Sequence, residues 1–243
     1  ARKWSSATLF SYNSMGAMLL DGKACGAEVE AEVKAKVSDL EAQGITPHLA
    51  VVIVGDDPAS HVYVGAKEKA CARVGVRSTR IDLPSSSDFA QVADVVQKLN
   101  NDDSVHGILV QSPLPEGMDE LAITDMIDPA KDVDGFHPVN LGRLVQGRVD
   151  GLVPCTPAGV VRLLEWGGVD LSGKSAVVIG RSRIVGVPVS LLLARKGVDA
   201  TVTITHSRTS DLADTCRNAD ILIAAVGRAE LVQADWVKPG AAV

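Results

Sequence analysis

Short runs rich in β-branched and aliphatic residues recur along this chain, at 49–54, 77–83, 106–111, 176–179, 200–205 and 220–226. Several are almost unbroken, which is how strands read when both faces of a parallel sheet are covered. Between them the apolar spacing changes to three and four. Residues 21–43 carry Val29, Val33, Val37 and Leu40 on one helical face and close at Gly44, as a C′ glycine would. Further helices are expected at 59–74, with Ser60 as cap, at 88–99, around 119–127, and at 158–166, with Thr156 capping and Pro157 in the first turn. Helical patterns follow at 189–196, 211–218 and 230–237, and residues 238–243 enter one more strand. Residues 140–153, with Gly142, Gly147 and Gly151 and alternating charge, read as an irregular junction.

Strand and helix in alternation predict an α/β fold. The expectation is two α/β domains around a cleft, at 22–149 and 150–243, the second a Rossmann-like doubly wound parallel sheet. Residues 1–21 form a leader. The first twenty contain Arg2, Lys3, five serines or threonines and no acidic residue, the bias of a transit-peptide remnant and equally of a disordered leader. Cytoplasm and organellar matrix both stay open.

Composition narrows the classes. The 243 residues are 46% hydrophobic and 22% charged, with no apolar run of about 20 residues that would span a membrane. A net charge of −6 argues against a nucleic-acid partner, which needs a basic face. Cys25, Cys71, Cys155 and Cys216 lie far apart and form no C-x-x-C, so zinc is not expected and a reducing compartment is the simpler inference.

The stretch that organises the chain is 175–188, SAVVIGRSRIVGVP. An apolar strand breaks at Gly180, and Gly186 opens a helical pattern. Backbone N–H groups and a helix N-terminus so arranged can receive a phosphate. Ser182 replaces the middle glycine of the usual G-x-G-x-x-G and the last glycine comes one residue late, so an ordinary βα turn is the competing reading. The strand at 200–205 ends in His206, Ser207, Arg208 and Thr209 rather than in the acidic residue that binds an NAD ribose. Hydroxyls and a cation there, with Arg181 as a second cation, suit a 2′-phosphate and hence NADP; the alternative is that Arg208 merely faces solvent. Gly227 ends the strand at 220–226 with room for a ligand's ring.

In the first half, Tyr63 and Lys67 stand at i and i+4 on a helix that starts beyond a strand's carboxyl end. They are either a surface lysine resting on a tyrosine or a pair facing ligand, since open α/β sheets place ligands at that edge. Gln111 would leave the same edge, before the sharp turn at Ser112-Pro113-Leu114-Pro115. The loop Lys131-Asp132-Val133-Asp134-Gly135 is either a solvated turn or the source of a carboxylate for a donor-bearing ligand. Cys155 has no neighbouring base and reads as a packing residue.

Together these segments resemble the bifunctional methylenetetrahydrofolate dehydrogenase/cyclohydrolases. The motifs are VGDDPAS at 54–60 through YVGAK at 63–67, GILVQSPLP at 107–115, KDVDGFHPVN at 131–140, PCTP at 154–157, GRSRIVGVP at 180–188, His206-Ser207, and the strand from Asp220 to Gly227. The likeness runs from about residue 22 to the end. It implies folate bound by the first domain and NADP by the second. Methylenetetrahydrofolate would be oxidised to the methenyl cation, which water then opens to 10-formyltetrahydrofolate. Lys67 would be the general acid/base of hydrolysis, a role that needs a lowered amine pKa. Tyr63 would stack on the pterin, Gln111 would hold the amine, and Asp134 would accept from pterin N–H groups, with Pro113 also lining the folate site. Gly180, Arg181, Ser182, Ile184 and Val185 would line the cofactor pyrophosphate and ribose, with Ser207 and Arg181 at the 2′-phosphate and His206 and Arg208 beside it. No metal is needed. Tetrahydrofolate derivatives are the expected ligands, and a homodimer through the second domain the expected assembly.

Two departures stand out. The family continues past the equivalent of Val243 with a strand, a Pro-Gly-Gly-Val-Gly-Pro-Met-Thr-like loop and a helix, so a fragment or a reduced pocket is expected. Ser112 stands where leucine is common. The competing readings are a non-catalytic subunit of a larger complex and a monofunctional dehydrogenase. Intact Tyr63, Lys67, Gln111 and Asp134 argue against the first, and the presence of Lys67 against the second.

Overall fold

The computed structural model describes residues 16–148 and 150–243. The expected leader therefore lies outside the described residues, apart from its last six. Helix α1 spans Gly22–Glu41 behind the N-cap Asp21, whose carboxylate accepts from the N–H groups of Lys23 and Ala24. Gly44, at φ 79°, ends it in a Schellman arrangement: Ile45 N–H reaches Leu40 O and Gly44 N–H reaches Glu41 O.

The first sheet has the order β2-β1-β3, all parallel, with β1 at His48–Val54, β2 at Arg77–Leu83 and β3 at Gly107–Val110. Its central strand β1 is buried along nearly its whole length, which is why its sequence does not alternate. Ala50, Val52, Val54 and Ile108 face Val92, Val96 and Leu99 of α3 (Phe89–Asn100) and Ile123 of α4 (Glu120–Met126). Val51, Ile53 and Leu109 point the other way, onto Val64 of α2 (Pro58–Val74). Asp132 pairs with Ile108 as a single parallel bridge beside β3.

The second sheet repeats this plan as β5-β4-β6, with β4 at Ser175–Ile179, β5 at Thr201–Thr205 and β6 at Ile221–Ala224. Ala176 and Val178 pack on Val161 and Leu164 of α6 (Cys155–Trp166) and on Val189, Leu192 and Leu193 of α7 (Gly186–Ala194). On the other face Val177, Ile179 and Leu222 meet Cys216 of α8 (Leu212–Arg217). In both sheets the strand order reverses direction at the central strand. A crevice therefore opens outside the carboxyl ends of β1 and β3, and another outside those of β4 and β6.

Several local expectations are corrected. Residues 140–153 are not all irregular, because α5 runs over Pro138–Val145. Its Leu144 joins the second core while Asn140 donates to Pro129 O and the Asp132 carboxylate, so this helix belongs to both domains. Asp57, not Ser60, caps α2: its carboxylate accepts from both the N–H and the hydroxyl of Ser60 at 2.8 Å. Helix α6 starts earlier than expected, at Cys155 with Pro154 as N-cap, so Thr156 is inside it and caps nothing. Residues 230–237 form only a 3-10 turn at Ala234–Trp236, and the expected last strand is a single bridge between Ala242 and Ile221.

Candidate active site

At the first crevice, α2 leaves the carboxyl end of β1 and carries Lys67 toward the residue that follows β3. Lys67 Nζ donates to Gln111 Oε1 at 3.0 Å. The other end of the amide is also held, since Gln111 Nε2 donates to Ser112 O at 2.7 Å. Gln111 therefore presents its acceptor to the amine and cannot turn without losing a bond. Tyr63, one helical turn before Lys67, is 62% exposed. Ser112-Pro113 is a cis peptide, and the Ser112 carbonyl accepts from Ser60 Oγ as well.

The acidic loop divides its labour in a way the sequence did not disclose. Lys131 Nζ donates to the carbonyls of Leu99, Asn100 and Asp102, the exposed end of α3. Asp132, 1% exposed, accepts from His137 N–H and Asn140 Nδ2, tying the loop to the start of α5. Both residues are structural. Asp134 differs: its carboxylate receives no hydrogen bond among the described residues. Burial pushes its pKa up, the positive charge of Lys67 pulls it down, and Asp132 adds to the rise. An acceptor held partly out of water, within the field of Lys67, suits a ligand that brings its own N–H donors.

Gly135 fixes the far side of this loop. Its φ is 66°, and a Cβ there would lie 2.6 Å from Val153 C, so the loop abuts the chain entering α6. Cys155 sits at that junction, its thiol donating to Val133 O at 3.4 Å. Desolvation raises the thiol pKa, Asp134 raises it further and Lys67 opposes. The residue as a whole is exposed, however, so the expectation of a packing residue is not met.

The second crevice is built by close backbone approach. Gly180, at φ 118°, would place a Cβ 2.4 Å from Ala225 O, and one on Gly186 would fall 2.2 Å from Gly180 O. Only glycine lets the turn lie this near to β6 and to α7. Ser182 takes up the helix start, its hydroxyl accepting from Val185 and Gly186 N–H at 3.2 and 3.4 Å. A phosphate at α7 would share or replace those bonds. Ile184 is 44% exposed beside this turn.

Because Ile179 pairs with Thr205, Arg181 and Ser207, two residues beyond each, leave the sheet from adjacent strands. His206 shapes the second turn, its Nδ1 accepting from Arg208 N–H and its own N–H reaching Thr209 Oγ1. Arg181, Ser207 and Arg208 are exposed, and neither arginine makes an ion pair among the described residues. The geometry fits an anionic dinucleotide carrying an extra phosphate on its ribose. Gly227 lies beyond the end of β6, and a Cβ there would meet nothing within 4 Å. The space is open, but the glycine is not sterically required.

One contact absent from the sequence reading joins the crevices. Arg183, in the glycine turn, donates to Glu120 Oε1 at 3.2 Å and lies 5.7 Å over the Phe136 ring. Among the described residues no group of three metal-ligating side chains is found and no helix is long and apolar enough to cross a membrane.

Comparison with known proteins places this geometry. Residues 20–134 match the model of the tetrahydrofolate dehydrogenase/cyclohydrolase catalytic domain, and residues 154–243 match that of the same family's NAD(P)-binding domain. A bifunctional protein FolD of Moorella thermoacetica is 54% identical over 229 residues, 94% of this chain and 81% of that protein. A 5,10-methylenetetrahydrofolate dehydrogenase from the silkworm Bombyx mori superimposes with a TM-score of 0.89 at 44% identity, covering 92% of this chain and 80% of that one. The Trypanosoma brucei methylenetetrahydrofolate dehydrogenase-cyclohydrolase, solved with NADP and an inhibitor, gives 0.87 at 39% identity, covering 93% and 77%.

Proposed function

This chain belongs to the tetrahydrofolate dehydrogenase/cyclohydrolase family, and from that footing we propose how its residues share the work. It is an enzyme of one-carbon folate metabolism. It oxidises 5,10-methylenetetrahydrofolate to the 5,10-methenyl form with NADP and hydrolyses that product to 10-formyltetrahydrofolate. NADP⁺ held at the glycine turn of Gly180 and Ser182 would supply the acceptor for the hydride that leaves the folate's methylene carbon.

The observation that carries the residue assignment is the 3.0 Å bond between Lys67 and Gln111 at the first crevice. Lys67 moves the proton in hydrolysis, between the water that adds to the methenyl carbon and the ring nitrogen that departs. Gln111, itself anchored to Ser112 O, holds the amine in line. Tyr63 offers a stacking face, Pro113 a wall, and Asp134 the acceptor for pterin N–H groups. Burial of Asp134 supports that last role, because a desolvated carboxylate gains most from a charge-assisted bond. In the second domain Gly180, Ser182, Ile184 and Val185 hold the pyrophosphate and ribose, with Arg181 and Ser207 at the 2′-phosphate and His206 and Arg208 in the turn beside it.

A non-catalytic subunit has nothing in its favour, since Lys67, Gln111 and Asp134 are assembled around one crevice. Purified protein given NADP⁺ and 5,10-methylenetetrahydrofolate should form NADPH and pass through methenyltetrahydrofolate absorbance; failure of both overturns the reading. A homodimer through the second domain is supported by the free edge of β5, where Ile204 is 43% exposed. A solution mass of one chain by light scattering counts against it.

A further inference from the structure

The contact between Glu120 and Arg183 joins the first domain to the glycine turn of the second. Glu120 opens α4 in the first domain, and its Oε1 accepts from Ser112 Oγ at 2.7 Å as well as from Arg183 Nη2 at 3.2 Å. Ser112 immediately follows Gln111, the residue bonded to Lys67. Arg183 lies between Ser182 and Ile184, inside the turn assigned to the cofactor. Phe136, two residues after Asp134, supplies its ring face to the same guanidinium. Ser112, Glu120, Asp134 and Phe136 line one small cleft at the end of β3. Two groups of the folate domain, Glu120 and Phe136, thus grip one residue of the cofactor turn, and Ser112 holds the first of them.

An isolated ion pair with side chains 34% and 38% exposed contributes little to stability. Its consequence lies in geometry instead. Hydride transfer needs the folate carbon and the nicotinamide at near-contact, and a small error in their separation slows it steeply. Hydrolysis of the methenyl group uses the first domain alone. We propose that Glu120 is a positioning residue for the dehydrogenase step, which sets the cofactor turn against the folate site through Arg183, with Ser112 orienting its carboxylate and Phe136 backing the arginine. The inference rests on the proposed division of labour between the domains. Glu120 touches neither reacting atom and acts only through Arg183.

The test separates the two activities in one protein. Dehydrogenase kcat is measured with NADP⁺ and methylenetetrahydrofolate, and cyclohydrolase rate with methenyltetrahydrofolate and no NADP⁺, for wild type, E120Q, R183M and the charge exchange E120R/R183E. Each single variant should lower dehydrogenase kcat by roughly 5- to 30-fold, leave NADP⁺ KM within about twofold, and leave cofactor-free hydrolysis within about twofold of wild type. The exchange should recover part of the loss, because it restores the attraction. Unchanged dehydrogenase kcat in E120Q overturns the proposal. So do an equal fall in both activities, which makes Glu120 part of the folate site, and losses in the exchange no smaller than the product of the two single effects. If wild type shows neither activity, the proposed function itself has failed, whatever the variants do.

Discussion

Lys67 and Gln111 are 44 residues apart in sequence, yet the amine of one donates to the amide oxygen of the other at 3.0 Å. The parallel sheet brings them together. Lys67 lies on the helix that follows β1, Gln111 follows β3, and those two strands are hydrogen-bonded neighbours. The amine thereby meets an acceptor at a crevice the topology leaves open, with Asp134 close enough for their charges to interact. That placement is the basis of the hydrolytic half of the account.

Asp134 should set an acid limb on folate binding. In the proposed role it would bind pterin donors as the carboxylate, and burial raises its pKa above the ordinary carboxylate value. Apparent folate affinity should therefore fall as pH drops through that raised value, earlier than for an exposed aspartate. D134N should abolish this limb and raise folate KM by about 10-fold or more. A D134N protein with wild-type KM and pH profile contradicts the assignment.

The same residue makes a stability prediction with a definite sign. A raised folded-state pKa means the native chain holds the proton more tightly than the unfolded chain. Stability then declines as pH rises from the unfolded value through the folded one, and the cost persists at neutral pH. Ligand-free D134N should melt about 1–3 °C higher than wild type at pH 7, and the gain should vanish below the unfolded pKa. Calorimetry at pH 7 and at acid pH measures both; a lower melting temperature at pH 7 refutes the reading.

Arg181 is free of ion pairs among the described residues and leaves β4 beside Ser207. A charge-assisted contact to a 2′-phosphate contributes about 1.5–3 kcal/mol, so R181A should raise NADP⁺ KM by roughly 10- to 100-fold. Folate KM should stay within about twofold. Equal effects on NADP⁺ and on NAD⁺ would remove the 2′-phosphate from the explanation.

Gly186 and Gly159 form a matched pair of tests. A Cβ at Gly186 meets Gly180 O at 2.2 Å, whereas one at Gly159 in α6 meets nothing within 4 Å. G186A should destabilise by about 1–3 kcal/mol and weaken NADP⁺ binding by displacing the turn. G159A should be stabilising by about 0.5–1 kcal/mol, since alanine is the better helix former. Urea unfolding and NADP⁺ titration read both, and equal behaviour of the two variants counts against the packing argument.

What the sequence disclosed depended on how local the signal was. β1 and β4 were legible because strands covered on both faces leave continuous apolar runs, and α2 because Tyr63 and Lys67 recur one turn apart beyond such a strand. Helix α5 was not legible. It has eight residues, Gly142 in its middle and an N-cap, His137, outside the usual capping set; packing of Leu144 and the Asn140–Asp132 bond hold it instead. The cap of α2 was misassigned because Asp57 and Ser60 both carry capping oxygens. Pro58 at the first helical position decides for Asp57. Asp132 and Asp134 look alike in sequence and separate only by burial and partners. Glu120 and Arg183 have no local pattern at all, being 63 residues apart.

The most direct measurement follows NADPH and methenyltetrahydrofolate absorbance together in wild type and K67M, started with NADP⁺ and 5,10-methylenetetrahydrofolate. Wild type should carry the methenyl compound on to 10-formyltetrahydrofolate. K67M should still reduce NADP⁺ but accumulate methenyltetrahydrofolate, its enzymatic hydrolysis lowered by about 10²-fold or more. If K67M clears the methenyl compound at the wild-type rate, Lys67 is not the proton-transfer group, and the central claim is wrong.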